Sequence, residues 1–138
     1  MIFRVFDTLA KHYITGGLNL RHIVMYSDGK VENLANGSAG HELIIQFGSG
    51  IFSSDGVEIF EGDILELSNQ DGRGLKTYHA VEFKNGQFFM QWSCGPTTLH
   101  YAICVTSRNV KIVGNTLTSP ANLIQSLRDH EQSRWKIS

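Results

Sequence analysis

The sequence has only two cysteines and two prolines in 138 residues, and it has no long apolar run. Two cysteines cannot build a disulfide framework, and Cys94 and Cys104 lack the C-x-x-C spacing of a zinc or redox site, so we expect buried thiols. No segment approaches the roughly 18 unbroken apolar residues of a membrane span. The amino terminus reaches Asp7 before any apolar stretch long enough for a secretion signal. These absences favour a soluble, cytoplasmic protein of one domain, with no membrane contact.

Recognisable catalytic motifs are missing as well. The sequence contains no G-x-S-x-G, H-E-x-x-H or comparable motif. Gly48-Ser49-Gly50 begins like a phosphate-binding loop, but Ile51-Phe52 follows in place of a third glycine or a Gly-Lys-Ser/Thr tripeptide. The tripeptide therefore predicts a turn. We expect no enzyme activity, no catalytic residue and no cofactor.

Two groups of side chains raise the question of a metal site. The first is a set of four carboxylates: Asp55, Glu58, Glu61 and Asp63. Calcium loops use a fixed alternating pattern of ligands that this set lacks. The second group is His79, His100 and Cys104, which would approach one another on neighbouring strands. A histidine on a mainly apolar strand is more often a hydrogen-bonded core residue, so we expect no metal ligands.

Charge is unevenly distributed, although the net charge is only −1. Residues 1–70 contain 4 Lys and Arg against 9 Asp and Glu, whereas residues 71–138 contain 8 against 4. If the two halves formed opposite faces, the protein would carry an acidic face and a basic face. Interleaved strands would cancel the asymmetry, and β-folds commonly place strands distant in sequence beside one another.

Short apolar runs separated by turn dipeptides predict a mainly β protein. Asp28-Gly29 and Asn85-Gly86 are hairpin signals, because a type I′ turn needs positive φ at its central residues. The predicted strands cover Ile2–Asp7, Arg21–Tyr26, Val31–Leu34, His41–Phe47, Val57–Phe60, Ile64–Leu67, Thr77–Lys84, Gln87–Cys94, Leu99–Val105 and Val110–Val113.

The hairpin around Asn85-Gly86 predicts part of the core. Side chains alternate between the two faces of a strand, so residues two apart share a face. Alternation on the two arms predicts that one face carries five large apolar residues: Val81, Phe83, Phe88, Met90 and Trp92.

The one strong helix signal lies at the carboxyl end. Ser119 is suited to the N-cap position and Pro120 to the first helical position, and good helix formers follow through Glu131. Three residues form a narrow apolar stripe: Leu123, Ile124 and Leu127. The stripe predicts a helix over 119–132 that lies on the edge of the β-structure and leaves three residues in solvent: Arg128, Asp129 and Glu131.

Five segments resemble the sequence motifs of one protein family, in the same order along the chain. Phe3–Asp7 resembles an F-R-x-W/F-D strand, and Gln46-Phe47 followed by Asp55–Ile64 resembles a Q-Y/F segment with a D-x-x-G-x-x-I-x-E-G-D-I/V block. Val81–Phe88 resembles a V-x-F-x-D/N-G-x-F hairpin, and Val110–Asn115 resembles a closing I-G-N. These are the motifs of the YopX family of phage and prophage proteins.

The resemblance has two departures. Gly48-Ser49-Gly50-Ile51 stands where the family has T-G-L, and the segment after Asn115 is longer than the family's I-Y/H-x-N-P-E-L. With the residue pattern, the resemblance implies a single domain over 1–138. The expected fold is a small, partly open antiparallel β-barrel, SH3-like and YopX-like, over 1–115, with the helix packed on its edge. Turn glycines and inward isoleucines in the central block favour a structural role for it.

The resemblance and the missing motifs together favour a non-enzymatic accessory protein of phage or prophage origin. We expect it to bind a host or phage protein, or a second copy of itself, through bare strand edges or through Trp135. Folding of Trp135 back onto the protein is the alternative. The second functional interpretation is a nucleic-acid-binding barrel, although a sequence pI near 6.6 disfavours it. Its basic residues would be Arg73, Lys76, Arg108, Lys111, Arg128, Arg134 and Lys136.

Overall fold

The computed structural model describes residues 3–8, 11–14, 23–25, 31–33, 43–69, 75–92, 97–105 and 109–135. Strands dominate these ranges, and a single long α-helix follows them. The elements in chain order are β1 (Phe3–Asp7), β2 (His12–Ile14), β3 (Ile23–Met25), β4 (Val31–Asn33), β5 (Leu43–Phe52), β6 (Glu58–Phe60), β7 (Asp63–Ser68), β8 (Thr77–Lys84), β9 (Gln87–Met90), β10 (Thr97–Thr98), a π-helical turn (Tyr101–Val105), β11 (Asn109–Asn115) and α1 (Ala121–Trp135). In these ranges, no helix is both long and apolar enough to cross a membrane.

The chain divides into two compact units, residues 2–47 and residues 48–138. In the first unit, β1 lies between β2 and the first half of β5, and both pairings are antiparallel. Val5 is fully buried and pairs with Ile45 on β5, while Phe6 packs its ring edge to face against Tyr13 with 5.2 Å between ring centres. β3 and β4 form a separate antiparallel pair in the same unit.

The second unit is built on a five-stranded antiparallel sheet in the order β10-β9-β8-β7-β11. Alternate residues of the central strands face a common core, as the period-two pattern predicts. Residues from β6 and from the segment after β10 complete this core, whose members are Ile59, Leu65, Leu67, Val81, Met90, Leu99, Ala102 and Val110. α1 packs against β8.

The protein is mainly β with antiparallel sheets and a carboxyl-terminal helix, as expected, but the predicted barrel is wrong because the sheets are open. Within the described residues, β10 and β11 end the five-stranded sheet without pairing with each other. The chain after β5 covers the outer edge of β11. The backbone N–H of Ser54 donates to the Val110 carbonyl at 2.9 Å, and the Val110 N–H donates to Ser54 Oγ at 2.9 Å. A covered edge needs no closing strand.

The Asn85-Gly86 hairpin is confirmed, with arms at Thr77–Lys84 and from Gln87. Asn85 (φ 52°) and Gly86 (φ 78°) both adopt the left-handed conformation that a type I′ turn requires. Of the five predicted core residues, two are buried (Val81 and Met90) and three are half-buried (Phe83, Phe88 and Trp92). The rings of Phe83 and Phe88 lie 4.7 Å apart, so the two arms do meet as their register predicts.

Replacing Gly86 by Ala should destabilise the hairpin by about 1 kcal/mol, because a Cβ at φ 78° is strained even though nothing crowds the position. Urea unfolding of the variant and of the wild type measures this difference. Gln87→Ala, at the exposed neighbouring position, is the control and should change stability by less than about 0.5 kcal/mol. Equal stability of G86A and wild type would contradict the turn assignment.

Three segments of the structure differ from the prediction. Gly48-Ser49-Gly50 does not end a strand but lies inside β5, where the pairing with β6 shifts register between Gly48 and Phe52. Leu99–Val105 is not a strand, since a π-helical turn occupies Tyr101–Val105. The strand at His12–Ile14 is absent from the predicted set. Cys94 lies outside the described residues, as does the side chain of Cys104.

The helix begins one position later than its cap signal predicts. The Pro120 carbonyl accepts the N–H of Ile124 at 3.1 Å, so Pro120 rather than Ser119 precedes the first helical residue, Ala121. Ser119 Oγ instead accepts the N–H of Asn115 at 2.9 Å. The predicted N-cap at Ser119 is therefore wrong, because its hydroxyl serves the end of β11.

Candidate binding groove

An open groove of about 430 Å³ lies within the unit 48–138. Its floor is apolar, because Ile51 and Phe88 line it while their other sides pack against the core. Its rim consists of polar side chains without formal charge, apart from an imidazole: Ser49, Gln87, Thr98 and His100.

One wall of the groove is the irregular part of β5. Gly50 adopts φ 73°, which glycine reaches without strain, and its N–H donates to Glu58 Oε2 at 3.2 Å. The Ile51 N–H donates to Ser49 Oγ at 3.0 Å, and this hydroxyl also lies 3.2 Å from the Ile51 carbonyl. These bonds hold Ser49 and Ile51 in the groove wall. Bulges of this kind commonly re-aim side chains at the ends of sheets.

The opposite wall comes from β9, from β10 and from the residue that follows Leu99. β9 contributes Gln87 and Phe88, and β10 pairs beside it with Thr98 opposite Phe89. The fully buried Leu99 lies between Thr98 and His100 and fixes this wall to the core. The groove therefore stands on packed secondary structure, which limits the entropy lost when a ligand binds.

The chemistry of the groove suits a neutral, partly apolar ligand. Its volume falls within the range of about 300–1,000 Å³ typical of ligand pockets. Hydroxyl, amide and imidazole groups each offer a donor and an acceptor, as backbone amides also do. An extended peptide that inserts one apolar side chain would match both the floor and the rim.

The sequence does not predict this groove. It predicts a turn at Gly48-Ser49-Gly50 and a core position for Phe88, whereas Ser49 and Phe88 both line the groove. The apolar Ile51-Phe52 pair directly after the glycines is the available signal that the strand continues. Nothing in the sequence places that strand end beside β9, because the contact joins residues almost forty positions apart.

Two of the side chains weighed above as metal ligands, Asp63 and His79, have hydrogen-bond partners within the protein. Asp63 is buried, and its carboxylate accepts the N–H of Phe60 at 2.8 Å and the Asn115 side-chain amide at 3.2 Å. The ring nitrogens of buried His79 lie 3.1 Å from the Gln91 carbonyl and 3.0 Å from Thr77 Oγ1. Across the part of the chain that the structure describes, no three His, Cys, Asp or Glu residues form a cluster fit for a metal.

Of the three predicted basic side chains that the structure describes, Lys76 and Lys111 flank one carboxylate, that of Glu66. Lys76 Nζ lies 3.7 Å from Glu66 Oε1, and Lys111 pairs in register with Glu66 from the other side. Arg128 lies on the exposed part of α1. The structure does not describe the side chains of the other four predicted basic residues, which are Arg73, Arg108, Arg134 and Lys136. The side chain of Trp135 is likewise not described.

Glu131 is the polar residue that sequence reasoning placed wrongly, since it is fully buried rather than exposed. Its Oε1 accepts the backbone N–H of Tyr78 at 2.9 Å. Backbone groups two residues apart on a strand point the same way, and the Ala80 carbonyl accepts the N–H of Gln91 from the β9 side. Glu131 therefore supplies the acceptor that β9 would have supplied had it continued. Its spacing of four and seven residues from Leu127 and Ile124 is the signal that places it on the inner face.

Tyr78 lies between two carboxylates at the β8 end of this contact. Its hydroxyl donates to Glu66 Oε2 at 3.1 Å, and its ring meets that of His130 edge to face at 5.4 Å. Burial, the hydrogen bond to Glu66, and the negative charges of Glu66 and Glu131 raise the pKa of Tyr78 above its ordinary value of 10.0.

A raised pKa makes stability depend on alkaline pH. The folded state holds the Tyr78 proton more tightly than the unfolded chain does. The resulting contribution to the free energy of unfolding is complete below pH 10.0, and it is lost as the pH rises through the higher pKa of Tyr78 in the folded state. Urea unfolding at rising pH should show a steeper loss for wild type than for Tyr78→Phe. Tyr101→Phe, at an exposed tyrosine, should keep the wild-type slope. Identical slopes for Y78F and wild type would contradict the assignment.

One family model matches most of the chain, and two solved structures are similar to it in fold. The family model described as "YopX protein" matches residues 2–124. No curated protein matches the chain. Protein EF1440 from Enterococcus faecalis has a similar crystal structure, with 20% identity, a TM-score of 0.57, and coverage of 88% of this chain and 96% of that chain. Protein yopX from Bacillus subtilis is also similar, with 16% identity, a TM-score of 0.56, and coverage of 86% and 94%. At these identities the likeness concerns the fold.

Proposed function

This chain belongs to the YopX family, and on that premise we propose that it is a non-enzymatic accessory protein of phage or prophage origin. It acts in the host cytoplasm as a binding module for a host or phage protein. The observation that supports this proposal is the groove, with its apolar floor of Ile51 and Phe88 and its uncharged polar rim. An extended segment of a partner would bury a side chain on the floor while its backbone bonds to the rim.

Site-directed photo-crosslinking tests the proposal. Benzoylphenylalanine replaces Gln87 or His100, both exposed on the groove rim, in cells that carry the phage. Irradiation should give one discrete protein adduct from each of these positions. The matched control places the same crosslinker at Asp129 or Gln132, which are exposed on α1 and distant in sequence from the groove. Adding a charge to the rim with Thr98→Lys should reduce the adduct, because no Lys, Arg, Asp or Glu side chain lines the groove.

The outcome separates the proposal from its alternatives. An adduct with twice the mass of the chain identifies a second copy as the partner. Equal adducts from groove and control positions would contradict the proposal. An adduct that nuclease removes would also contradict it. The same holds for a salt-dependent gel shift of DNA or RNA that is abolished by charge reversal at Arg128 and Arg134. Either result identifies nucleic acid as the ligand.

A further inference from the structure

The β5–β6 hairpin end, residues Phe52–Glu58, presents two apolar side chains on an ordered turn. Phe52 is 53% exposed and Val57 is 55% exposed. The turn between them is closed by backbone bonds, from Gly56 N–H to the Ser53 carbonyl at 2.9 Å and from Ser53 N–H to the Val57 carbonyl at 2.8 Å. Buried Ser53 anchors the turn and also accepts the Val57 N–H through Oγ at 3.2 Å. Large apolar side chains held in fixed positions at the surface are typical of interaction sites.

Both charged residues of the hairpin end Phe52–Glu58 are acidic. Phe52 pairs in register with Glu58, and exposed Asp55 stands at the turn between Phe52 and Val57. From Lys30 to Arg73 the sequence has no other Lys or Arg but has eight Asp and Glu residues. Such a surface repels nucleic-acid phosphates and anionic lipid headgroups, and it attracts cations. A protein with basic residues is therefore the class of partner that its charge fits.

We propose that the β5–β6 hairpin end docks on a partner protein that presents an apolar recess bordered by Lys or Arg. Phe52 and Val57 enter the recess, while Asp55 and Glu58 face its basic border. The exposed apolar side chains supply the area to be buried, and the carboxylates orient the contact and speed association. This inference does not rest on the groove, because Ile51 lines the groove whereas its neighbour Phe52 does not.

Peptide titration followed by amide NMR tests the proposal on the full chain. The probe is a short synthetic peptide of alternating Leu and Lys, compared with a Leu–Glu peptide of the same length. The Leu–Lys peptide should shift the amide signals of residues 52–58 in a saturable way, and the Leu–Glu peptide should not. Phe52→Ser should weaken binding about tenfold, and Asp55→Lys about two- to fivefold at low salt. Added salt should weaken the contact, since charges are screened beyond about 10 Å at 0.1 M.

Two matched variants provide the control. Leu75→Ser removes another exposed apolar side chain, at 63% exposure, and Asp129→Lys reverses another exposed carboxylate. Both should bind the Leu–Lys peptide like wild type. The proposal is overturned if these variants lose as much affinity as F52S and D55K, if the shifts spread without focus on 52–58, or if the Leu–Glu peptide binds equally well. The crosslinking experiment probes Gln87 and His100 in the groove, whereas the peptide titration probes residues 52–58. The groove proposal and the hairpin-end proposal can therefore fail independently.

Discussion

Asp63→Asn should destabilise the protein by about 1–3 kcal/mol, the cost of leaving buried polar groups without partners. The Asp63 carboxylate is 3% exposed and accepts the Phe60 N–H on one oxygen and the Asn115 amide on the other. An asparagine keeps one acceptor but turns a donor toward the Asn115 donor. Asn115 cannot flip without cost, because its own Oδ1 accepts the Leu117 N–H at 2.8 Å. Urea unfolding measures the loss.

The double variant D63N/N115D should recover most of this stability. It exchanges the two side chains, so that an amide at position 63 donates to a carboxylate at position 115, which still accepts the Leu117 N–H. Coupling between such neighbours is measured by a double-mutant cycle. Asp55→Asn, at the exposed turn of the same segment, is the control and should cost less than about 0.5 kcal/mol. If D63N is as stable as D55N, the Asp63 carboxylate does not stabilise the contact between Phe60, Asp63 and Asn115.

Glu131→Ala should cost about 1–3 kcal/mol and should expose the end of β8 to exchange with solvent. The side chain is fully buried, and its loss leaves the Tyr78 N–H without the acceptor that lies at 2.9 Å. Glu131→Gln keeps a carbonyl oxygen at that place, so its cost should be smaller. Urea unfolding gives the stability, and hydrogen exchange of the Tyr78 amide reports the bond itself.

Gln132→Ala is the control for this experiment, since Gln132 is the exposed neighbour of Glu131 on α1. It should leave both the stability and the Tyr78 exchange rate close to wild type. A Tyr78 amide that remains equally protected in E131A would show that another group satisfies it, and the contact between α1 and β8 would then rest on apolar packing alone.

Sequence reasoning succeeded where short-range chemistry decides the conformation. The Thr77–Lys84 arm is predicted to the residue, because Asn85 and Gly86 alone satisfy the positive φ values of the turn between two alternating strands. The family motif likewise predicts the hairpin and the closing strand. The helix is predicted within a few residues of its observed ends at Ala121 and Trp135.

Sequence reasoning failed where the same residue type is common in two local conformations. Glycines at Gly48 and Gly50 are typical of a turn, yet pairing with β6 carries the strand through them as a bulge. Leu99–Val105 is apolar at nearly every position, so its period is hidden. Buried Leu99 and Ala102 stand three apart with half-buried Ile103 beside them, which is a helical spacing that leaves exposed Tyr101 on the opposite face.

Long-range contacts explain the remaining errors. The groove depends on β5 reaching β9, and the covering of the β11 edge depends on Ser54 reaching Val110. The burial of Glu131 depends on where β9 stops, at Met90, which leaves one N–H of β8 for the helix to satisfy. Local patterns carry no information about which distant segment supplies a missing hydrogen-bond partner.

The position of β1 bears on how the chain is made. Its two ladders join Phe3–Asp7 to residues 12–14 and to residues 43–47, and only the second reaches across a long stretch of sequence. A ribosome adds about 5–20 residues per second, so the amino-terminal strand emerges seconds before its second partner. During that interval the nascent chain contains Val5 and Phe6, which are buried in the folded protein, but residues 43–47 are not yet available to pair with them. A factor bound at the ribosomal exit site therefore has access to Val5 and Phe6 before residues 43–47 are available to pair with their strand.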